Sequence, residues 1–336
     1  MKKILALILA LLLAIGIFAG CGKTAEEPKN NPEPTPEVKE EVTVKIAGLK
    51  GPTSIGLVKL MEDNEAGTSA NKYEFTVAGA ADEVTPKLIK GELDMAAIPS
   101  NLASVLYNNT EGKIKVLAIN TLGVVYIVDK GVGITSVADL KGKTIYATGK
   151  GSTPEYALRY ILKENGIDPD NDVTIEWKSE PTEVVAVLSS GDGVAMLPQP
   201  YVTVAQSKVE GLNVALDLNA EWEKLDTKSM LITGVVVART EFIEKYPNTV
   251  KKFLEEYKAS TEYANAEVAT AATLVEKFGL FKAAVAEKAI PKCNITYIAG
   301  EEMKTALEEY LNILYNFNPA SVGKQLPAED FYYVEK

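Results

Sequence analysis

The chain has 336 residues, of which 46% are apolar and 24% charged, an ordinary globular composition with length enough for two domains. Its formal net charge is −11, which argues against nucleic acid or anionic lipid as a main partner. It contains no His and only two Cys, Cys21 and Cys293; His triads, His metal ligands and Cys metal clusters within one chain are excluded, and no cofactor or metal is implied.

The N-terminus reads as a leader. Lys2-Lys3 precede 17 almost wholly apolar residues, 4–20, too few for the ~20 that span a bilayer. Small residues then lead to Cys21, as in Phe18-Ala19-Gly20-Cys21. The pattern is that of a secretory signal peptide, 1–20, and it resembles a bacterial lipobox, which implies cleavage before Cys21 and a lipid on its sulfur. Phe18 stands where Leu is more usual. Loss of Lys2 and Lys3 with the leader takes the charge from −11 to −13. Residues 21–41 follow; after Cys21, the twenty residues 22–41 hold four Pro, no aromatic residue and two apolar side chains, Ala25 and Val38. They read as an extended tether, reaching at most ~66 Å.

The folded part starts with an apolar run, 42–46, that leads into Ala47-Gly-Leu-Lys-Gly-Pro-Thr-Ser-Ile-Gly56 and a helical pattern. A second run, 144–146, leads into Ala147-Thr-Gly-Lys-Gly-Ser-Thr-Pro154 and another helix. The two stretches lie 100 residues apart, as do Glu83 and Glu183, Val84 and Val184, Leu88 and Leu188, and Gly91 and Gly191. Pro99 and Pro198 close the two copies. Each copy reads strand, loop, helix, strand, loop, helix, strand, which predicts mainly parallel α/β sheets. Such sheets bind ligands beyond the carboxyl ends of their strands, and two of them face to face would enclose a cleft.

Between the copies, 111–128 reads as a strand pair or a bent strand. Lys141-Gly-Lys-Thr144 is not a P-loop, because Val137 stands where its first Gly is required. After the second copy come a polar helix (202–209), a strand (212–218) and a buried strand (230–238). The chain is expected to cross between lobes near 129–135 and near 226–234. Residues 42–130 and 231–336 then form a discontinuous first lobe, and 131–230 the second. Four helices after 240 carry no chemical motif; Pro247 starts the longest, with Val250, Phe253, Leu254 and Tyr257 on one face. Cys293 reads as an inert small residue.

Candidate ligand residues are those at the strand ends. In the first copy they are Lys50, Thr53 and Ser54, then Ala80 and Asp82, then Ser100 and Asn101. In the second they are Lys150, Ser152 and Thr153, then Glu180 and Thr182, then Gln199 and Tyr201. Thr233 stands near a crossing. Ser and Thr at helix starts also serve as N-caps. Two facing helix starts with Lys suggest a carboxylate or sulfonate; available Tyr, Trp, Asp and Glu suggest a pyrimidine-like heterocycle. Tyr126, Tyr156, Tyr201 and Trp222 are candidates for an aromatic wall.

The chain resembles the type 2 periplasmic substrate-binding proteins, in particular the nitrate, sulfonate, taurine and thiamine-precursor group. The likeness is carried by Val137-Ala-Asp-Leu-Lys-Gly-Lys-Thr-Ile145 with the Gly loop after it, Gly91-Glu-Leu-Asp-Met-Ala96, Gly191 with Pro198-Gln-Pro200, and Ala238-Arg-Thr-Glu-Phe-Ile-Glu-Lys-Tyr-Pro247. It covers roughly 42–336. It implies a two-lobed α/β fold, an extracytoplasmic monomer anchored through Cys21, capture of a small molecule by hinge closure, and delivery to an ABC importer permease. It implies no enzyme: related pyrimidine-making proteins use a His, and Ser54 near Lys50 is not hydrolytic machinery. The alternative is a ligand-sensing module coupled to a membrane signalling partner.

Overall fold

Period-two alternation sets the first strand: in β1 (Thr43–Leu49) Val44 and Ile46 are buried while Thr43 and Lys45 are exposed. The computed structural model describes residues 42–225 and 227–335. The leader, Cys21 and the tether lie outside the described residues. After β1 come α1 (Pro52–Ile55), α2 (Val58–Ala66), β2 (Lys72–Ala78), α3 (Thr85–Ile89), β3 (Met95–Pro99), α4 (Ser100–Asn109) and β4 (Ile114–Leu122). Then follow β5 (Val125–Lys130), β6 (Thr144–Ala147), α5 (Thr153–Glu164), β7 (Thr174–Trp177), α6 (Pro181–Ser190), β8 (Gly193–Pro198), α7 (Tyr201–Lys208), β9 (Leu212–Asp217) and α8 (Leu218–Glu223). The last part holds β10 (Ile232–Arg239), α9 (Thr240–Lys245), α10 (Pro247–Ala266), α11 (Val268–Lys277), α12 (Ala283–Ala289), β11 (Ile295–Ala299) and α13 (Gly300–Phe317).

The strands form two sheets, ordered β11-β4-β10-β3-β1-β2 and β7-β6-β8-β5-β9. The doubling read from the sequence is present in their register. Parallel β2 and β3 flank β1, and parallel β7 and β8 flank β6. Ile46 stands opposite Met95 and Ile145 opposite Val194, the same separation along the chain. Antiparallel strands then extend each unit: β10, β4 and β11 beyond β3, and β5 and β9 beyond β8. Both sheets are therefore mixed.

One expected boundary moves. The first crossing lies at Gly123 and Val124, not near 129–135, because β5 pairs with β8 and β9 and so belongs to the second sheet. The run 114–128 is apolar almost throughout, and hydrophobicity alone does not say which sheet a buried strand joins. Gly123 is required at the turn: a Cβ there would stand 2.6 Å from the Cβ of Asn219. The return crossing lies between α8 and β10.

Packing follows the faces. One buried cluster lies on the outer face of the first sheet and includes Phe253 and Tyr257 of α10, the helical stripe expected from the sequence. A second, with Val184, Leu188 and Tyr201, covers the corresponding face of the second sheet. The largest runs without a break through both, taking in Ile98, Val235, Ile145, Met196, Trp222 and Tyr310. At the far end of the strands, Arg239 Nη2 meets Asp94 Oδ1 at 2.9 Å, Arg239 Nε donates to Leu93 O, and Lys45 N donates to Asp94 Oδ2. That cluster ties β1, β3 and β10 together. Among the described residues no helix is long and apolar enough to cross a membrane.

Candidate functional site

The carboxyl ends of the two parallel units meet around a cavity of about 200 Å³. That is below the usual span of ligand pockets, ~300–1,000 Å³. Lys50, Pro52 and Thr53 line it from one side, with Thr148, Gly149, Ser152 and Pro154 from the other. The two Gly loops thus face each other. Gly79, Ala80 and Ala81 with Ser179 and Pro181 close the outer edge; Pro99, Pro198, Gln199 and Tyr201 form walls; Thr121, Val124 and Thr233 lie on the strands near the crossings.

Seven of the sequence candidates line the cavity: Lys50, Thr53, Ala80, Ser152, Gln199, Tyr201 and Thr233. Three others are brought together but turned elsewhere. Thr153 Oγ1 lies 3.1 Å from Ser100 Oγ and donates to Asn101 Oδ1 at 3.1 Å, while Asn101 Nδ2 donates to Gly151 O at 3.3 Å and Ser321 O at 3.0 Å. Ser100, Asn101 and Thr153 are at most 1% exposed, so they bond across the two units. Ser54 is fully buried beneath Gly48, and its hydroxyl has no partner. Asp82, Lys150, Glu180 and Thr182 are exposed and do not line the cavity. Of the aromatic candidates only Tyr201 does; Trp222 is buried against Tyr160 and Tyr310, and Tyr126 donates to Lys292 O at 3.2 Å.

The helix-start anion cradle is largely pre-empted. Glu83 accepts from Gly79 N and Ala80 N, both at 3.0 Å; Glu183 accepts from Ser179 N at 3.0 Å; Glu155 accepts from Gly151 N at 2.6 Å. These carboxylates sit where a bound anion would collect loop N–H groups. The repeated Glu83 and Glu183 are thus loop caps. Lys50 is the one charged side chain among the lining residues. Among the described residues no carboxylate pairs with it, and its Nζ stands 5.9 Å from the Phe281 ring centre. Burial first, and then the nearby Glu180 charge, push the Tyr201 phenol up, so it remains a neutral donor. The hydroxyls of Thr121 and Thr233 are buried without a partner. Gln199 is held in place because Thr203 Oγ1 donates to its Oε1 at 2.9 Å.

Sequence reasoning missed Pro52, Thr121, Val124, Pro154 and Pro181. The prolines carried a signal: each stands in the first turn of a helix that begins at a strand end. Thr121 carried none, since it reads as one more residue in an apolar strand.

Two sheets with duplicated parallel units, joined by two crossings and closed on a cavity at their strand ends, make the two-lobed α/β fold of periplasmic substrate-binding proteins. The profile of the NMT1-like family matches residues 61–278, and the chain belongs to that family. The structure of an ABC transporter protein from Parabacteroides distasonis superposes with a TM-score of 0.73 at 25% identity, over 88% of this chain and 99% of that one. The alkanesulfonate-binding protein of Xanthomonas axonopodis pv. citri gives 0.70 at 14% identity, over 87% and 98%. The nitrate-binding protein of Synechocystis PCC 6803 gives 0.63 at 15%, over 84% and 83%. A protein of Brucella abortus (strain 2308), provisionally described as a binding protein, is 27% identical over 189 residues, 56% of each chain. The match thus spans about half the length of such curated relatives.

Proposed function

We propose that the protein is an extracytoplasmic solute-binding lipoprotein, anchored through Cys21, that captures a small organic molecule in the cavity between its lobes. It acts as a monomer, closes by hinge motion, does no chemistry on the ligand, and hands it to an ABC importer permease. The best ligand is a compact carboxylate or sulfonate carrying one negative charge. The observation behind this is Lys50: one unpaired cation lines a cavity of about 200 Å³ whose other lining residues are uncharged. The walls of Pro and Tyr201 suit a mainly apolar body. A pyrimidine-like ring is the second reading, favoured by Tyr201 beside the neutral groups of Gln199 and Thr233.

The test starts with mass spectrometry of the ligand released from protein purified without refolding. Titration of Lys50→Gln with that compound follows. Loss of a charge-assisted hydrogen bond worth ~1.5–3 kcal/mol weakens a monoanion roughly 10- to 150-fold. A neutral ligand bound equally well by both proteins overturns the anion reading, and turnover of the compound overturns the transport reading.

A further inference from the structure

The polar atoms that line the cavity divide into those already bonded within the chain and those that are not. Ser152 Oγ donates to Gly149 O at 2.7 Å, and Thr53 Oγ1 donates to Leu49 O at 3.3 Å. The hydroxyls of Thr121 and Thr233 are buried without a partner, although both residues line the cavity. Thr121 is only 1% exposed. A buried hydroxyl left unpaired keeps its full desolvation cost. Two of them beside one cavity mark a place where a bound molecule completes the bonds.

Gln199 adds a group of fixed orientation. It lines the same cavity and is 1% exposed. The backbone N–H and the hydroxyl of Thr203 both donate to its Oε1, at 3.4 and 2.9 Å. A backbone N–H can only donate, so the amide oxygen must face Thr203 and the NH2 group is the other end of the amide. Among the described residues no acceptor bonds to that NH2 group. Gln199 N also donates to Val124 O at 3.0 Å, which fixes the residue beside the crossing, close to Thr121 along the chain. Thr121 and Thr233 are neighbours in turn, since Thr121 stands opposite Gly234 in the pairing of β4 with β10.

The three side chains thus form one uncharged polar corner. Its hydroxyls donate and accept, while the Gln199 NH2 group only donates. No carboxylate is among the lining residues. Such a corner satisfies a hydroxyl or carbonyl oxygen. An ammonium group accepts nothing and would meet a second donor in Gln199. A methyl group would leave all three side chains unpaired and dry.

We propose that Thr121, Thr233 and Gln199 recognise an uncharged, oxygen-bearing head on the ligand. The cargo is then a compact monoacid with a hydroxyl or carboxamide as its second group, and neither a plain nor an amino-substituted acid. This rests on the monoanion reading of the cavity and adds the second functional group to it. Lys50 meets the same acid in every case, so discrimination among acids falls to the three uncharged residues.

Calorimetric titration of the full chain with two matched series tests this: propanoate, β-alanine and β-hydroxypropanoate, then ethanesulfonate, taurine and isethionate. In each series the hydroxy acid is expected to bind about tenfold more tightly than the other two, the worth of one or two neutral hydrogen bonds. Thr121→Val, Thr233→Val and Gln199→Met are each expected to cut that preference to about threefold or less, with the plain acids bound as before. Ligand-free Thr121→Val is expected to melt no lower than the wild type, because a hydroxyl without a partner has no bond to lose. Plain or amino acids bound as tightly as the hydroxy acids by the wild type would leave the corner to water and overturn the inference. So would a preference that survives in all three variants, or a Thr121→Val chain that melts well below the wild type. Acids that bind through Lys50 without regard to the head sink the proposed class alone and leave the monoanion reading standing. No binding by any member of either series sinks both.

Discussion

Gly234 of β10 lies directly against the side chain of Asn120 of β4: a Cβ on Gly234 would stand 2.6 Å from Asn120 Oδ1 and 3.0 Å from Thr53 Cγ2. The register between β10 and β4 shifts at this point, and the freed space admits a fully buried amide next to a cavity-lining residue. Gly234→Ala is expected to cost ~1–3 kcal/mol by overpacking and to displace Thr53, weakening ligand binding. Adding Asn120→Ala restores room, so the double variant should be more stable than the single one. Denaturant melts of the wild type, the two single variants and the double variant measure this; strictly additive losses would refute the steric account.

Arg239 serves three neighbours from one planar group, with Nη2 on Asp94, Nε on Leu93 O and Nη1 on Glu241. The Asp94 and Arg239 side chains are only 13% and 20% exposed. Lysine carries the charge but not the fork. Arg239→Lys should therefore cost ~1–3 kcal/mol, clearly more than an exposed ion pair is worth. Equal melting temperatures for the two proteins would assign the contact no stabilising role.

Asp139 caps a short turn, accepting from the Thr135 backbone and hydroxyl and from the Ser136 hydroxyl and backbone. These bonds hold its carboxyl at about 2, down from 3.8. A carboxyl lowered by folding contributes stability that is complete above pH 3.8 and is lost as pH falls toward 2. Asp139→Asn should flatten the stability profile in that window and leave its slope near neutrality alone. Parallel thermal melts between pH 2 and 5 read this directly.

Cys293 is fully buried at the end of a 3-10 turn, and burial pushes its thiol far up from the usual range. The thiolate is the reactive form. Under native conditions the peptide containing Cys293 should take up no maleimide, and it should label fully in denaturant. Native labelling at the denatured rate would mean that this segment opens locally.

The doubled architecture could be read from the sequence because its signals are local. Strand alternation, Gly and Pro at turns, and Glu83 and Glu183 at equal spacing each report on their own few residues. Lys50, Thr53, Ser152, Gln199 and Tyr201 reach the cavity because being at a strand end suffices to place them there. Ser100, Asn101 and Thr153 share that position and yet bond to one another. Helical phase separates them: Ser152 and Pro154 face the cavity, and Thr153 between them faces Ser100 and Asn101. That choice depends on how two distant segments pack, which no local pattern encodes. The same holds for β5, whose sheet is decided by partners about seventy and ninety residues further on.

The three loop glutamates have a consequence for how the protein meets its surroundings. With Glu83, Glu155 and Glu183 occupying the loop amides, the cleft offers a doubly charged oxyanion one cation and several fixed negative charges nearby. Phosphate and sulfate, abundant outside a cell, should be poor competitors, and the protein should bind its cargo as well in phosphate buffer as in an uncharged one. On the proposed reading, the chain's own carboxylates would then set selectivity against such ions before any partner is considered; retained binding at high phosphate is the result that bears this out.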